Sequence, residues 1–129
     1  MPNLFLIFNH ELTSLQKDSA FKELGVGLFY KFPPELERVW SQIPPYINGL
    51  TEYLKPIIQW LSASAKSCDY VLIQGDFGAC YLMVQTAFQL GLIPIYSTTR
   101  REATEAHGAD GTVQLMHQFK HVIFRKYGA

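Results

Sequence analysis

Three short segments carry the residue types that chemistry needs. Gln74-Gly75-Asp76-Phe77-Gly78 follows an apolar run and precedes a helical one. Its glycines let the backbone turn sharply and approach a ligand, and the helix start behind it offers free amides to an anion. It lacks the Gly-Lys-Ser/Thr ending of a phosphate-binding P-loop and the GxGxxG dinucleotide spacing, and Asp76 also suits a helix cap. Ser97-Thr98-Thr99-Arg100-Arg101 joins hydroxyls to two guanidinium forks, a combination suited to phosphate oxygens as well as to a solvated surface loop. Asn9-His10 comes straight after the first apolar run, where an imidazole can exchange a proton with a ligand. His107, His117 and His121 share no metal-ligand spacing with it, so no metal site is expected. The chain has no GxSxG elbow, no HExxH and no paired-carboxylate constellation. Cys68 and Cys80 fit neither a zinc pair nor a CxxC motif, and Cys80 reads as a packed thiol before it reads as a nucleophile.

These segments must be positioned by an α/β framework. Asn3 to Phe8 (NLFLIF) and Tyr70 to Gln74 (YVLIQ) read as strands buried on both faces. Thr13 and Gln16 form a capping box, and a helix carrying Leu15, Phe21 and Leu24 ends at Gly25. Gly27 to Phe32 is a second strand, stopped by Pro33-Pro34. Two helical stripes follow, Leu36/Val39/Trp40/Ile43 and Leu50/Tyr53/Leu54/Ile57/Ile58/Leu61, with Pro56 marking a kink or a start in the second. Ala79 to Leu90 is helical and closes at Gly91, and Leu92 to Tyr96 is a strand that opens near Pro94. Residues 102 to 111 read as a polar, flexible loop. The alternation of Val113, Leu115, His117 and Phe119, resumed in Val122 to Tyr127, reads as an antiparallel pair. The sum is β-α-β-α-α-β-α-β-β-β in one domain, a mostly parallel sheet flanked by helices and ending in two antiparallel strands. Ligands of open parallel sheets bind outside the carboxyl ends of the strands, where all three segments fall.

Composition narrows the partners. The 129 residues include 11 basic and 11 acidic ones, so the net charge is zero. That disfavours sequence-blind binding to long nucleic acid, which needs many phosphate contacts, but leaves room for a compact anion in a local pocket. The basic residues gather late: Arg100, Arg101, Lys120, Arg125 and Lys126, with no acid after Asp110. No apolar run nears the roughly 20 residues that cross a bilayer, and acids and histidines interrupt the apolar start by residue 11. The expectation is a cytoplasmic protein with free thiols and no cofactor.

Several stretches taken together resemble the small CRISPR-associated family called Csx-twenty: Pro2 to Thr13, Glu52 to Ile58, Tyr70 to Ala79, Gly91 to Arg100 and Phe119 to Tyr127. The Gln-Gly-Asp-Phe-Gly and Ser-Thr-Thr-Arg blocks are the most specific parts. The resemblance implies a Rossmann-like (CARF-like) fold, a homodimer, and a metal-independent ring nuclease that binds cyclic tetra-adenylate. Such an enzyme lets a ribose 2′-hydroxyl attack its neighbouring phosphate, ends the signal that activates type III CRISPR defence, and leaves 2′,3′-cyclic phosphate ends. On that reading Arg100 clamps the phosphate, with Thr98, Thr99 and Arg101 in support, and His10 protonates the departing 5′-oxygen. Asn9 and Gln74 read adenine edges or ribose hydroxyls. Gly75, Asp76, Phe77 and Gly78 cradle the ring, Phe77 stacking on a base. Ser97, Lys120, His121 and Arg125 complete the binding set. The same loops would serve a sensor or sponge that holds the ligand intact. A receiver-like regulatory domain is the remaining reading, although the acidic pair that a receiver needs after its first strand is replaced by Asn9-His10-Glu11.

Overall fold

The computed structural model describes residues 1–129 as one five-stranded sheet with helices on both faces. The elements are β1 (Leu4–Ile7), α1 (Ser14–Leu24), β2 (Phe29–Lys31), α2 (Pro34–Ser41), α3 (Lys55–Ser64), β3 (Tyr70–Ile73), α4 (Phe77–Gln89), β4 (Ile93–His107) and β5 (Val113–Lys126). The strand order is β2-β1-β3-β4-β5. The first four strands run parallel, and β5 returns antiparallel to β4.

Strand alternation divides the core in two. Phe5, Ile7, Val71 and Ile73 point to one face, where Trp40 of α2, Ile57 and Leu61 of α3, and Ala79, Met83 and Ala87 of α4 cover them. Leu4, Leu6, Leu72, Ile95 and Phe124 point to the other face, under Ala20 of α1. The helices between β2 and β3 and between β3 and β4 thus share a face, while α1 takes the opposite one. Strand order reverses between β1 and β3, which places the natural ligand crevice outside their carboxyl ends.

The local signals act as their chemistry dictates. Thr13 Oγ1 accepts from the Gln16 amide at 3.2 Å while Gln16 Oε1 accepts from the Thr13 amide at 2.9 Å, which completes the capping box. Gly25 ends α1 in the left-handed region at φ 66°. Pro34 stands in the first turn of α2 and Pro56 in that of α3, where the missing N–H costs nothing. Pro56 therefore starts a helix and does not kink one.

The structure corrects the chain from residue 97 onward. Neither 97–101 nor 102–107 is a loop. Both continue β4, which pairs with β5 as far as His107↔Val113. Val113–Lys126 is likewise one strand, so the segments 113–119 and 122–127 do not pair with each other. Two physical facts hid this. Beyond Ser97, β4 alternates polar residues with polar residues, so no period-two hydrophobic signal exists. In β5 a register shift between Ser97↔Phe124 and Thr99↔His121 sets Val122 and Ile123 opposite Thr98 alone. This bulge breaks the phase of the alternation and makes one strand read as two. The Thr98 hydroxyl fills the bulge, donating to the Ile123 carbonyl and accepting from the Ile123 amide, each at 3.1 Å. Residues 99–107 and 113–121 form a two-stranded arm that extends beyond β3, whose pairing with β4 ends at Leu72↔Ile95.

Candidate functional site

A cleft of about 460 Å3 opens at the carboxyl end of β3, beside Tyr96 near the start of β4, on the α4 side of the sheet. Gln74 and Gly75 form its back, the first turns of α4 supply Phe77, Cys80, Tyr81 and Val84, and Tyr96 and Tyr127 close the far wall. Gln74 is fixed three ways. Its amide donates to the Ile7 carbonyl at 3.2 Å, its carbonyl accepts from the Trp40 indole at 3.0 Å, and its side-chain oxygen accepts from the Ser97 amide at 2.9 Å. Gly75 is required by that indole. A Cβ here would lie 2.8 Å from Trp40 Nε1, so close packing, not ligand approach, accounts for this glycine. Asp76 caps α4, accepting from the Ala79 amide at 3.0 Å. Its carboxylate thereby occupies the helix end that an anion would otherwise use. A Cβ at Gly78 would meet only ordinary contacts at 3.5 Å and beyond.

Phe77 stands at the first position of α4 with 95% of its surface exposed, although a buried Phe is worth about 1.5–3 kcal/mol. Tyr96 and Tyr127 lie with ring centroids 4.8 Å apart. The Tyr127 hydroxyl donates to the Ile73 carbonyl at 2.6 Å, and burial pushes its pKa up to about 12. The Arg125 guanidinium lies 5.6 Å from the Tyr96 ring centre and donates to its hydroxyl at 3.1 Å. Burial first, then the Asp76 charge, raises the Cys80 thiol to about 11, so it is protonated at neutral pH and a poor nucleophile.

Alternation decides which basic residues join this cleft. Tyr96, Thr98, Arg100 and Glu102 share the α4 side of β4 with Lys120 and Arg125 of β5, as the pairs Tyr96↔Arg125 and Arg100↔Lys120 require. Arg100 lies four residues beyond Tyr96, roughly 13 Å along the strand. Glu102 receives Arg100 at 2.8 Å and Lys120 at 3.1 Å, and their hydrogen bonds hold its carboxyl below the usual carboxylate range. Arg101, Thr99, Ser97 and His121 face the opposite side. There Ser97 Oγ and His121 Nδ1 lie 2.5 Å apart beneath α1, Gln16 donates to the same oxygen at 3.4 Å, and His121 Nε2 is buried without a partner.

His10 belongs to a different hollow. Asn9, His10, Glu11, Lys31 and Glu37 line a cavity of about 210 Å3 at the carboxyl ends of β1 and β2. The His10 ring sits against Phe8 at 5.4 Å, and Lys31 is ion-paired to Glu11, whose carboxyl it holds low. The structure therefore brings Gln74, Gly75, Phe77, Arg125, Arg100 and Lys120 to one face. It sets His10 and Asn9 in the neighbouring cavity, and Ser97, Thr99, Arg101 and His121 behind the sheet. Sequence reasoning missed Trp40 as the clamp on Gln74, and Tyr81, Tyr96 and Tyr127 as cleft walls. The i, i+4 spacing of Phe77 and Tyr81 on α4 carried a signal for one of them. Tyr127, far off in sequence, gave none. No group of histidines, cysteines and carboxylates is placed to hold a metal ion.

The chain belongs to the family described as "Uncharacterized protein MJ1673 family", which it matches over residues 2–125. It is 50% identical over 127 residues to a protein of Methanocaldococcus jannaschii described as "Uncharacterized protein MJ1673", a match that covers 98% of each chain. No solved structure matches it.

Proposed function

We propose that this protein is a ring nuclease of Rossmann-like (CARF-like) fold that binds cyclic tetra-adenylate and opens it without a metal, ending type III CRISPR signalling in the cytoplasm. The observation that carries the reading is the aromatic cleft at the sheet's carboxyl edge, continued by Arg125, Arg100 and Lys120 on the same face. Aromatic walls with an exposed ring at the rim suit a purine, and guanidinium forks suit the phosphates that follow it. One adenine enters between Phe77 and Tyr96, and the backbone runs along the root of the arm.

The chemistry asks the protein mainly for position. The ribose 2′-oxygen bonds to the neighbouring phosphorus as the bond from phosphorus to the 5′-oxygen breaks. The 2′-hydroxyl releases a proton and the 5′-oxygen takes one, leaving a 2′,3′-cyclic phosphate and a 5′-hydroxyl. Arg100 steadies the charge on the phosphoryl oxygens once the phosphate displaces Glu102 from it. His10, at the end of β1, protonates the leaving oxygen where the ring spans the crevice toward β1.

A second reading, a sponge that holds the ring intact, is favoured by one specific observation. The cleft's own acidic groups, Cys80 and Tyr127, hold their protons to about 11 and about 12, and His10 lines a separate cavity. Incubation of the protein with cyclic tetra-adenylate in EDTA, followed by liquid chromatography, separates the two. Linear products bearing a cyclic phosphate are expected. Intact ligand that elutes with the protein means a sponge, and ligand that never binds overturns both readings.

A further inference from the structure

The face of the arm that continues the cleft is basic, but its cations are not held alike. Arg125, Arg100 and Lys120 lie on it, and Glu102 is its one acidic residue. Arg125, beside Tyr96, donates to that residue's hydroxyl and meets no carboxylate. Farther out, Arg100 and Lys120 are directly paired across the strands, and Glu102 joins them. Arg100 donates to Glu102 Oε1 at 2.8 Å, and Lys120 meets Glu102 Oε2 at 3.1 Å. Each oxygen of one carboxylate thus takes one cation, as two oxygens of a phosphate would. Glu102 is also the most sheltered of the three, its side chain 30% exposed against 70% for Arg100 and 52% for Lys120.

We propose that Glu102 is a built-in competitor for the phosphate site at Arg100 and Lys120, which holds free phosphates off and yields to a ligand anchored by its base. A bare Arg–Lys pair takes any compact anion. With Glu102 seated, every anion must first displace a carboxylate, and a free phosphate gains little more at these cations than it removes. A nucleotide held in the aromatic cleft brings its phosphate to the pair already tethered, at a high effective concentration, so it can meet that cost. The layout fits this order of events. The open cation, Arg125, stands next to the cleft, and the closed pair begins about 13 Å beyond Tyr96, four residues along the strand. Once released, Glu102 has Gln118 directly opposite it on β5, and the carboxamide there is an uncharged donor.

The inference rests on the proposed function, which sends a phosphate to Arg100, and it adds what keeps other anions away from that residue. An exposed ion pair contributes little to a fold, so Glu102→Gln should leave the unfolding midpoint in place and act on binding.

Pyrophosphate is the probe for an anion without a base. Titrated by calorimetry into the full-length protein at low salt, it should bind Glu102→Gln roughly tenfold or more tighter than the wild type, the size of one charge-assisted hydrogen bond. Glu105→Gln removes the same charge from the same strand on the opposite face, and it should match the wild type. Adding Arg100→Gln to Glu102→Gln should abolish the gain. Cyclic tetra-adenylate should also tighten on Glu102→Gln, by no more than pyrophosphate does. Equal pyrophosphate affinity in Glu102→Gln and the wild type overturns the proposal. So does an equal gain in Glu105→Gln, which would make the effect one of net charge. A wild type that ignores cyclic tetra-adenylate, while Glu102→Gln still gains pyrophosphate, overturns the proposed function but not the competing role of Glu102.

Discussion

At Phe77 and Gly75, two positions apart, the same segment carries opposite physics. Phe77 touches solvent over nearly its whole surface, so Phe77→Ala should leave the unfolding midpoint unchanged. It should weaken cyclic tetra-adenylate by about 1–3 kcal/mol, the usual worth of a base on an aromatic ring. Paired thermal denaturation and equilibrium binding check both halves. Gly75→Ala should do the reverse damage first. Its methyl must displace the Trp40 indole and weaken the bond that pins the Gln74 carbonyl, at a cost of about 1–3 kcal/mol in a urea titration. Residue types in this loop were legible from sequence, and so was the capping role of Asp76. The reason for Gly75 was not, because the indole that demands it lies 35 positions away and reaches it only through the packing of α2.

At the scale of elements, β4 and β5 depart furthest from what sequence alone implies. A strand announces itself in sequence when one face is buried. The strands β1 and β3, buried on both faces, and the capped helix α1 were plain for that reason. The outer half of β4 buries neither face, and its pairing rests on backbone hydrogen bonds that leave no hydrophobic trace. The bulge at Val122-Ile123 then hid the continuity of β5. Strand status also re-sorts the basic cluster, since adjacent Arg100 and Arg101 must point to opposite faces.

The root of the arm carries a titration of its own. Burial lowers the pKa of His121 below its usual 6.5, against a smaller opposing pull from the Glu23 charge. The folded protein thus binds this proton more weakly than the unfolded chain does. The stability His121 contributes is present above pH 6.5 and is lost as the pH falls through its folded value. Thermal unfolding followed from pH about 7.5 down to about 5 should show a midpoint that drops more steeply for the wild type than for His121→Asn. Parallel curves would remove His121 from the acid response.

For the whole molecule, the sheet order sets two hollows apart. Asn9 and His10 line a hollow at the carboxyl ends of β1 and β2, and the aromatic cleft lies apart from it at the carboxyl end of β3. The arm carries Arg100 and Lys120 outward from the cleft on one face and sets Arg101, Phe119 and Leu115 on the other. Zero net charge is compatible with the proposed function, which asks for local cations around one compact ligand and no field for a long polyanion.

On the proposed function, the aromatic cleft is the binding site for cyclic tetra-adenylate. Equilibrium binding of the labelled ring to the wild type, to Phe77→Ala and to Arg125→Ala tests this most directly. Saturable binding by the wild type is expected, with a loss of about fivefold or more in each variant, the size of one stacked base or one charge-assisted contact. Equal affinity in all three, or no binding by the wild type, would contradict it.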